Sequence, residues 1–377
     1  MNRASSTVPI SWLLGPVTAT VILHLAGMAI YVSRHGGDPS ALVCVGQNRI
    51  GQPPYETISQ SIGTVGYDGQ FYYAIARNPW KQQVAGIDAP AARHLRLLYP
   101  AVCWFLSFGS PYLLIWVMPA VNLLAIGGLC GLGAWLAVRH GLNAWWGVTL
   151  PLAVTAGLPA LRDLTDPLST CAVAGLFVTW LAGWRGWVVL LWAAAAVFSR
   201  EQNVAVVALL AGLSLWQRRI GLGAGIATVI LVWCTWMGLL RLTYGTWPFV
   251  ECPHTFDWPL AGLLSRWEEV VRTASLHGRG RFGNLWSLFS ITLELTLAVG
   301  LLLTRKASGG LAVLLVAGGA LAALAGGAIY VDYWSYMRVL VWLPMGIWLT
   351  AIATRRLQLL LFLAPQMLWS LLVITRV

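Results

Sequence analysis

Charge is what this sequence has least of, and lysine is the scarcest charged residue. Asp, Glu, Lys and Arg fill 10% of the 377 positions, against roughly a quarter in a soluble domain. A water-soluble fold is thereby excluded. Of 24 basic residues only Lys81 and Lys306 are lysine. The arginine bias suits planar contacts to phosphate oxygens and equally suits anchoring of helices at a membrane interface. Cysteine patterning is missing as well. Cys44, Cys103, Cys130, Cys171, Cys234 and Cys252 include no C-x-x-C and no His–Cys cluster, so a zinc site is not supported. The apolar runs are long and continuous rather than alternating, which argues against a transmembrane barrel. No fixed-period repeat and no low-complexity tract is present.

Apolar sequence is abundant. The chain is 58% hydrophobic with mean hydropathy +0.72, and a bilayer core takes ~20 apolar residues per helix. Runs of that kind cover about 10–33, 111–138, 144–161, 167–184, 187–199, 202–216, 220–243, 283–304, 311–330, 339–353 and 357–375. The pieces on either side of SREQN are short enough to form a broken or re-entrant pair. The reading is a single all-α domain over 1–377, a polytopic transmembrane bundle of about 9–11 spans. The first run, from Ile10 to about Ser33, is long enough to span and no small-residue cleavage site follows it, so it reads as a membrane helix rather than a removed signal.

The net charge of +11 does not point to nucleic acid, because the basic residues occupy short connections. Arg139, Arg185, Arg218, Arg219, Arg305, Lys306, Arg355 and Arg356 fall on one side if every run crosses, and the positive-inside rule makes that side cytoplasmic. Twelve of the thirteen acids then lie outside or at the outer edge, Glu294 being the exception. Two long outer loops result, 34–110 and 244–282, with short outer turns at RDLTDP, SREQN and VDYWSYMR. Cys44 and Cys252 fall in the two long loops, as a disulfide or as two free thiols. In the first loop FYYAIARN fits a helix lying flat at the interface, and 94–108 fits a second interfacial or half-inserted helix.

Polar residues concentrate at a few places in these outer segments. In GYDGQFYYAIARNPW, residues 66–80, Asp68 stands at a helix start where its carboxylate would either cap backbone N–H groups or face a cavity. Two flanking glycines permit close approach, and Gln70, Tyr72 and Tyr73 are residue types that bind sugars by hydrogen bonding and stacking. Asp166, followed by Pro167, suits a helix N-cap, whereas Asp163 could bind an acceptor, share a metal or pair with Arg162. Arg200 and Glu201 interrupt apolar sequence, where an unsatisfied charge costs ~2.5 to 3.5 kcal/mol; they form an ion pair, or Arg200 meets a phosphate. Arg338 closes an aromatic turn, as a snorkelling interface residue or as a phosphate ligand with Trp334 and Tyr336 beside it at headgroup level. Arg96 and His94 are further substrate-contact candidates. Glu294 reads as a proton-relay residue or as an acid bonded to a neighbouring Ser or Thr.

GYDGQFYYAIARNPW followed by RHLRLLYP resembles the first outer loop of bacterial polytopic glycosyltransferases of the C-type superfamily, and more distantly the mannosyltransferase of GPI-anchor assembly. RDLTDPLSTCAVAGLFV, AVFSREQNVAVVALL and YMRVLVWLP extend the resemblance, fairly specifically over the first 216 residues and loosely beyond. The resemblance implies an inverting enzyme of a bacterial inner membrane with an outward-facing site. Its donor is a polyprenyl-phosphate sugar, and its acceptor is a glycan or a lipid. Asp68 would be the general base, and one carboxylate suffices because a lipid phosphate leaves without an acid. Gln70, Tyr72, Tyr73, Arg96, Asp163, Asp166, Arg200, Glu201 and Arg338 are the expected substrate contacts. No adjacent acid pair stands in the first loop, so a divalent metal is not supported and no cofactor is expected. The alternatives from other classes are a transporter or flippase of a lipid-linked precursor and a non-catalytic partner in envelope glycan assembly.

Overall fold

The computed structural model describes residues 8–80, 87–251, 255–272, 279–307 and 309–376. Among the described residues no β-strand forms; isolated bridges such as Val45 with Gly66 tie the first loop together. The protein is an all-α, polytopic membrane protein. It opens with α1 (Ile10–Arg34). The first loop holds α2 (Gly69–Arg77), α3 (Pro90–His94) and α4 (Leu98–Ser107). There follow α5 (Pro111–Arg139), the short α6 (Thr149–Ala153) and α7 (Gly157–Ala160), α8 (Asp166–Ala182), α9 (Gly186–Ser199), α10 (Asn203–Trp216) and α11 (Ile220–Tyr244). The C-terminal part contains α12 (Ala261–Arg272), α13 (Arg279–Leu303), α14 (Gly310–Leu324), α15 (Tyr333–Val339), α16 (Trp342–Ala353) and α17 (Ala364–Arg376).

Among the described residues five helical stretches are long and apolar enough to cross a bilayer: α1, α5, α11, Phe282–Leu303 of α13, and Leu357–Thr375. α15 and α16 together pass the same test but bend by 48° at their junction. α4, α8, α9, α10 and α14 are apolar but shorter. The run 144–161 departs most from a single span. It breaks into a 3-10 turn, α6 and α7, because Pro151 and Pro159 each lack an N–H donor and Thr155 adopts a positive φ of 50°. The two pieces around SREQN form the expected short helical pair, α9 and α10.

A large apolar core runs through the bundle, and a second, smaller one fills the first loop around Val45, Tyr55, Tyr73, Tyr99 and Leu114. That second core alters the expectation for α2, whose residues Gly69 to Ala76 are all buried, so it lies under protein rather than flat on the membrane surface. α4 does present Phe105, Leu106 and Phe108 outward, as an interfacial helix would.

The glycines of GYDG are explained by close approach. Gly66 has φ +81°, and a Cβ there would meet the Cys44 carbonyl at 2.6 Å. A Cβ on Gly69 would collide with the backbone carbonyls of Arg162 and Val43. Asp68 is thereby held against the α7–α8 turn, the segment that carries Asp163 and Asp166.

Candidate active site

Asp68 sits at the N-terminal boundary of α2, yet its side chain makes no capping bond. The carboxylate is spanned instead by two guanidiniums. Arg93 NH2 lies 3.0 Å from Oδ1, and Arg338 NH2 donates to Oδ2 at 2.9 Å. The side chain keeps 16% of its surface exposed, enough to be reached from outside. Burial alone would raise its proton affinity, but Arg338, Arg93 and Arg96 outweigh burial and hold the carboxyl well below the ordinary carboxylate range. The capping expectation for Asp68 is therefore corrected, because charged partners win over the helix N–H groups.

The clamp extends in both directions. Arg93 also donates through Nε to Asp88 at 3.0 Å and lies over the Phe71 ring at 4.6 Å. Arg338 NH1 stands 4.0 Å from Asp166 Oδ2, and Asp166 pairs with Arg200 through its other oxygen. Asp166 begins α8 without capping it, since the residue at the capping position is Thr165; the N-cap expectation is overturned by the same competition. Arg200 and Glu201 are both paired, but not with each other. Glu201 receives a bidentate contact from Arg96 at 2.5 and 2.7 Å. Burial raises the Glu201 carboxyl, but Arg96 lowers it further, to about 2. Arg96 donates its remaining nitrogen to the Tyr72 hydroxyl at 2.7 Å. Side chains from the first loop, the α7–α8 turn, the α9–α10 turn and α15 thus converge at one end of the bundle.

Several expected substrate contacts are occupied elsewhere. Gln70 accepts from the Gly46 N–H at 3.2 Å and donates to the Val65 carbonyl at 3.0 Å, so it holds the loop's shape. Tyr73 is buried, hydrogen-bonded to Thr57 at 2.9 Å and stacked on Tyr55. Tyr336 is also buried; its hydroxyl donates to Asn284 Oδ1 at 2.9 Å, which corrects its placement at headgroup level. Arg338 points inward to Asp68 rather than snorkelling. His94 is buried, its Nδ1 shared between the Pro90 carbonyl and the Tyr244 hydroxyl, and burial lowers its pKa.

Asp163 is fully buried, and neither carboxylate oxygen has a well-formed hydrogen bond, the Asn122 side chain offering a weak one. Its φ of 46° is the left-handed conformation that Asp tolerates better than most residues. It does not pair with Arg162, and burial pushes its carboxyl well above the usual range. Glu294 is likewise buried, and its Oε1 lacks the bond to a neighbouring hydroxyl that was expected. Cys44 is buried beside the Tyr31 hydroxyl at 3.8 Å; Cys252 lies outside the described residues.

Arg93, Arg162 and Tyr67 complete the site; Arg93 and Tyr67 were not singled out from the sequence, and Arg162 figured there only as a possible partner for Asp163. Arg162 is stacked 3.7 Å from the Trp334 ring and 4.2 Å from Tyr67. Among the described residues no carboxylate lies within ion-pairing distance of it. Asp68, Asp88, Asp166 and Glu201 pair with Arg93, Arg96, Arg200 and Arg338; Arg162 belongs to no ion pair among the described residues, and Asp332, which caps α15, is a further carboxylate close to Tyr67. Arg162 and Arg338 line a narrow cleft with Tyr67 and Trp334, closed too tightly in this structure to admit a water molecule. Arg338 Nε and NH1 are buried there without a hydrogen-bond partner. The one hint in the sequence was the density of arginine next to aromatic residues in ARHLR and VDYWSYMR. Among the described residues no three His, Cys, Asp or Glu side chains converge as a metal ligand set.

No protein-family model matches this chain, and no match emerges among curated proteins or among solved structures.

Proposed function

We propose that the protein is an inverting glycosyltransferase that moves a sugar from a polyprenyl-phosphate donor to an acceptor hydroxyl, at the outward face of a bacterial cytoplasmic membrane. One observation carries the reading. Asp68 is an ionised, partly exposed carboxylate that caps nothing, and beside it stands Arg162, a guanidinium in no ion pair among the described residues.

The chemistry follows from that arrangement. Asp68 accepts the proton of the acceptor hydroxyl, whose oxygen forms a bond to the anomeric carbon as the bond from that carbon to the phosphate oxygen breaks. The phosphate leaves with the electron pair, and Arg162 and Arg338 stabilise its charge. Arg338 and Arg93 suppress the basicity of Asp68. A donor phosphate competes for those donors, so its arrival would raise the proton affinity of the carboxylate at the moment a base is needed. The cleft is narrow, and admitting a headgroup requires Trp334 and Arg338 to move. Asp68, Arg93 and Arg96 sit in the long first loop rather than on interrupted mid-span helices, which favours transfer over transport of a lipid-linked precursor.

The test is transfer from a polyprenyl-phosphate sugar in proteoliposomes. Wild-type protein is expected to transfer sugar, and Asp68→Asn to remain inserted but inactive. Near-normal transfer by that variant rejects Asp68 as the base. Translocation of the donor without turnover by wild type replaces the enzyme reading with the transport one, and neither activity leaves a non-catalytic partner.

A further inference from the structure

α13 places an acid inside a stretch, Phe282–Leu303, that is long and apolar enough to span a bilayer. Glu294 is 1% exposed, and its Oε1 has no hydrogen-bond partner. At 3.6 residues per turn, Ser287, Ser290 and Glu294 lie within about 60° of one another around the helix, and all three are buried. Phe289 and Val299, on the other side, are exposed. The inward face of α13 carries polar residues from Asn284 to Glu294, interleaved with Leu288 and Ile291, over a rise of roughly 15 Å, which is about half the hydrocarbon thickness. Two more buried oxygens stand next in sequence to a contact between α13 and α17. Ser287 Oγ has no partner, and neither does Gln366 Oε1 of α17, a helix joined to α13 where Trp286 Nε1 donates to the Pro365 carbonyl at 2.7 Å.

Among the described residues no cation pairs with Glu294. α14, α16, the turn 357–363 and α17 as far as Thr375 contain no Asp, Glu, Lys, Arg or His. From α12, Arg266 is engaged by Glu269 and Asn284, and Glu268 by Arg272. From α15, Tyr336 is held by Asn284 and Arg338 by Asp68, while Tyr333 packs on Trp369. Arg279 and Arg281 stand at the start of α13, about 20 Å along the helix from Glu294.

A lone carboxylate in such surroundings is costly, and buried polar atoms without protein partners are the usual seats of ordered water. We propose that the α13–α17 seam is a proton-bearing, water-binding site. Glu294, as the neutral acid, donates into a short file of water that Ser287 Oγ and Gln366 Oε1 help to hold, running toward Asn284. The site is separate from Asp68 and does not depend on the sugar-transfer reading.

Infrared difference spectra of the purified, lipid-reconstituted protein test it. Wild type minus Glu294→Gln at neutral pH is expected to show loss of a protonated-acid C=O stretch that shifts in D2O. Asp163→Asn, measured alongside, separates the other buried acid. Ser287→Val in an otherwise unchanged chain is expected to shift the Glu294 band by removing a water-holding oxygen. A carboxylate signature in place of the acid band overturns the proposal. So does an acid band that neither exchanges in D2O nor responds to Ser287→Val, because that describes a dry side chain.

Discussion

Arg338 and Asp68 are 270 positions apart in the chain, and the guanidinium donates to the carboxylate at 2.9 Å. This contact joins the bent α15–α16 segment to the first loop, and a charged residue from α8 sits just behind it. Removal of Asp68 therefore has two separable consequences, one for chemistry and one for folding.

Asp68→Asn is expected to lower transfer by about 10²- to 10⁴-fold, the usual contribution of a general base. Asp68→Ala should in addition lower the thermal midpoint in detergent, because Arg93 and Arg338 lose their common anion. An Asn variant within threefold of wild-type activity removes the base from the mechanism.

The two arginines lining the cleft should behave differently from the one behind it. Arg200 is 4% exposed and pairs with Asp166, so Arg200→Met leaves a buried carboxylate with only the longer contact to Arg338 at 4.0 Å, at a cost approaching about 3 kcal/mol. Arg162→Ala breaks no ion pair. It is expected to cost only the ring contacts, about 1 to 2 kcal/mol, while raising KM for the lipid-phosphate donor more than tenfold. Equal thermal midpoints for the two variants would contradict this division.

Acidity separates Asp68 from Asp163. Asp68 has its folded-state value depressed by Arg338 and its neighbours, so its contribution to stability is present above the unfolded value of about 3.9 and is lost as pH falls through the folded value. As a base it stays ionised across neutral and mildly acidic pH, and the resting enzyme should show no acid limb from this group near pH 4 to 6. Asp163 is raised by burial. Its contribution is fully present below about pH 3.9 and is lost as pH rises through the folded value. Asp163→Asn, which keeps the left-handed backbone, is expected to raise the thermal midpoint at pH 8 relative to wild type and not at pH 4. A lower midpoint at pH 8 would show that the ionised form is stabilised after all.

Gly69→Ala is expected to damage the site without touching a charge. Its new methyl meets the Val43 carbonyl at 2.7 Å and the Arg162 carbonyl closer still, and backbone on both sides cannot yield cheaply. Overpacking of this kind costs about 1 to 3 kcal/mol, and it displaces Asp68 from Arg338, so transfer should fall at least tenfold. Tyr73→Phe removes only the bond to Thr57 and should leave transfer unchanged. Tyr72→Phe, which frees Arg96, should not.

The helical class, most helix positions and the concentration of chemistry in GYDGQFYY, RDLTDP, SREQN and VDYWSYMR were legible in the amino-acid order, because apolar length and charge scarcity are local properties that a bilayer reads directly. Partnership was not legible. Asp68 and Asp166 had the local appearance of helix caps, and Arg200 with Glu201 that of an adjacent pair. Each was instead claimed by a cation or anion from a distant segment, since ionic contacts in a partly dry site outcompete a neutral N–H. Gln70 and Tyr73 carried sugar-binding chemistry by type, yet tertiary packing used them to hold the first loop. Arg93 and Arg162 gained roles that no spacing announces, because they depend on which loop folds over which helix end. Residue types and their order determined what this protein could hold in a membrane; only the folded chain decided which charges meet, because pairing follows distance in space.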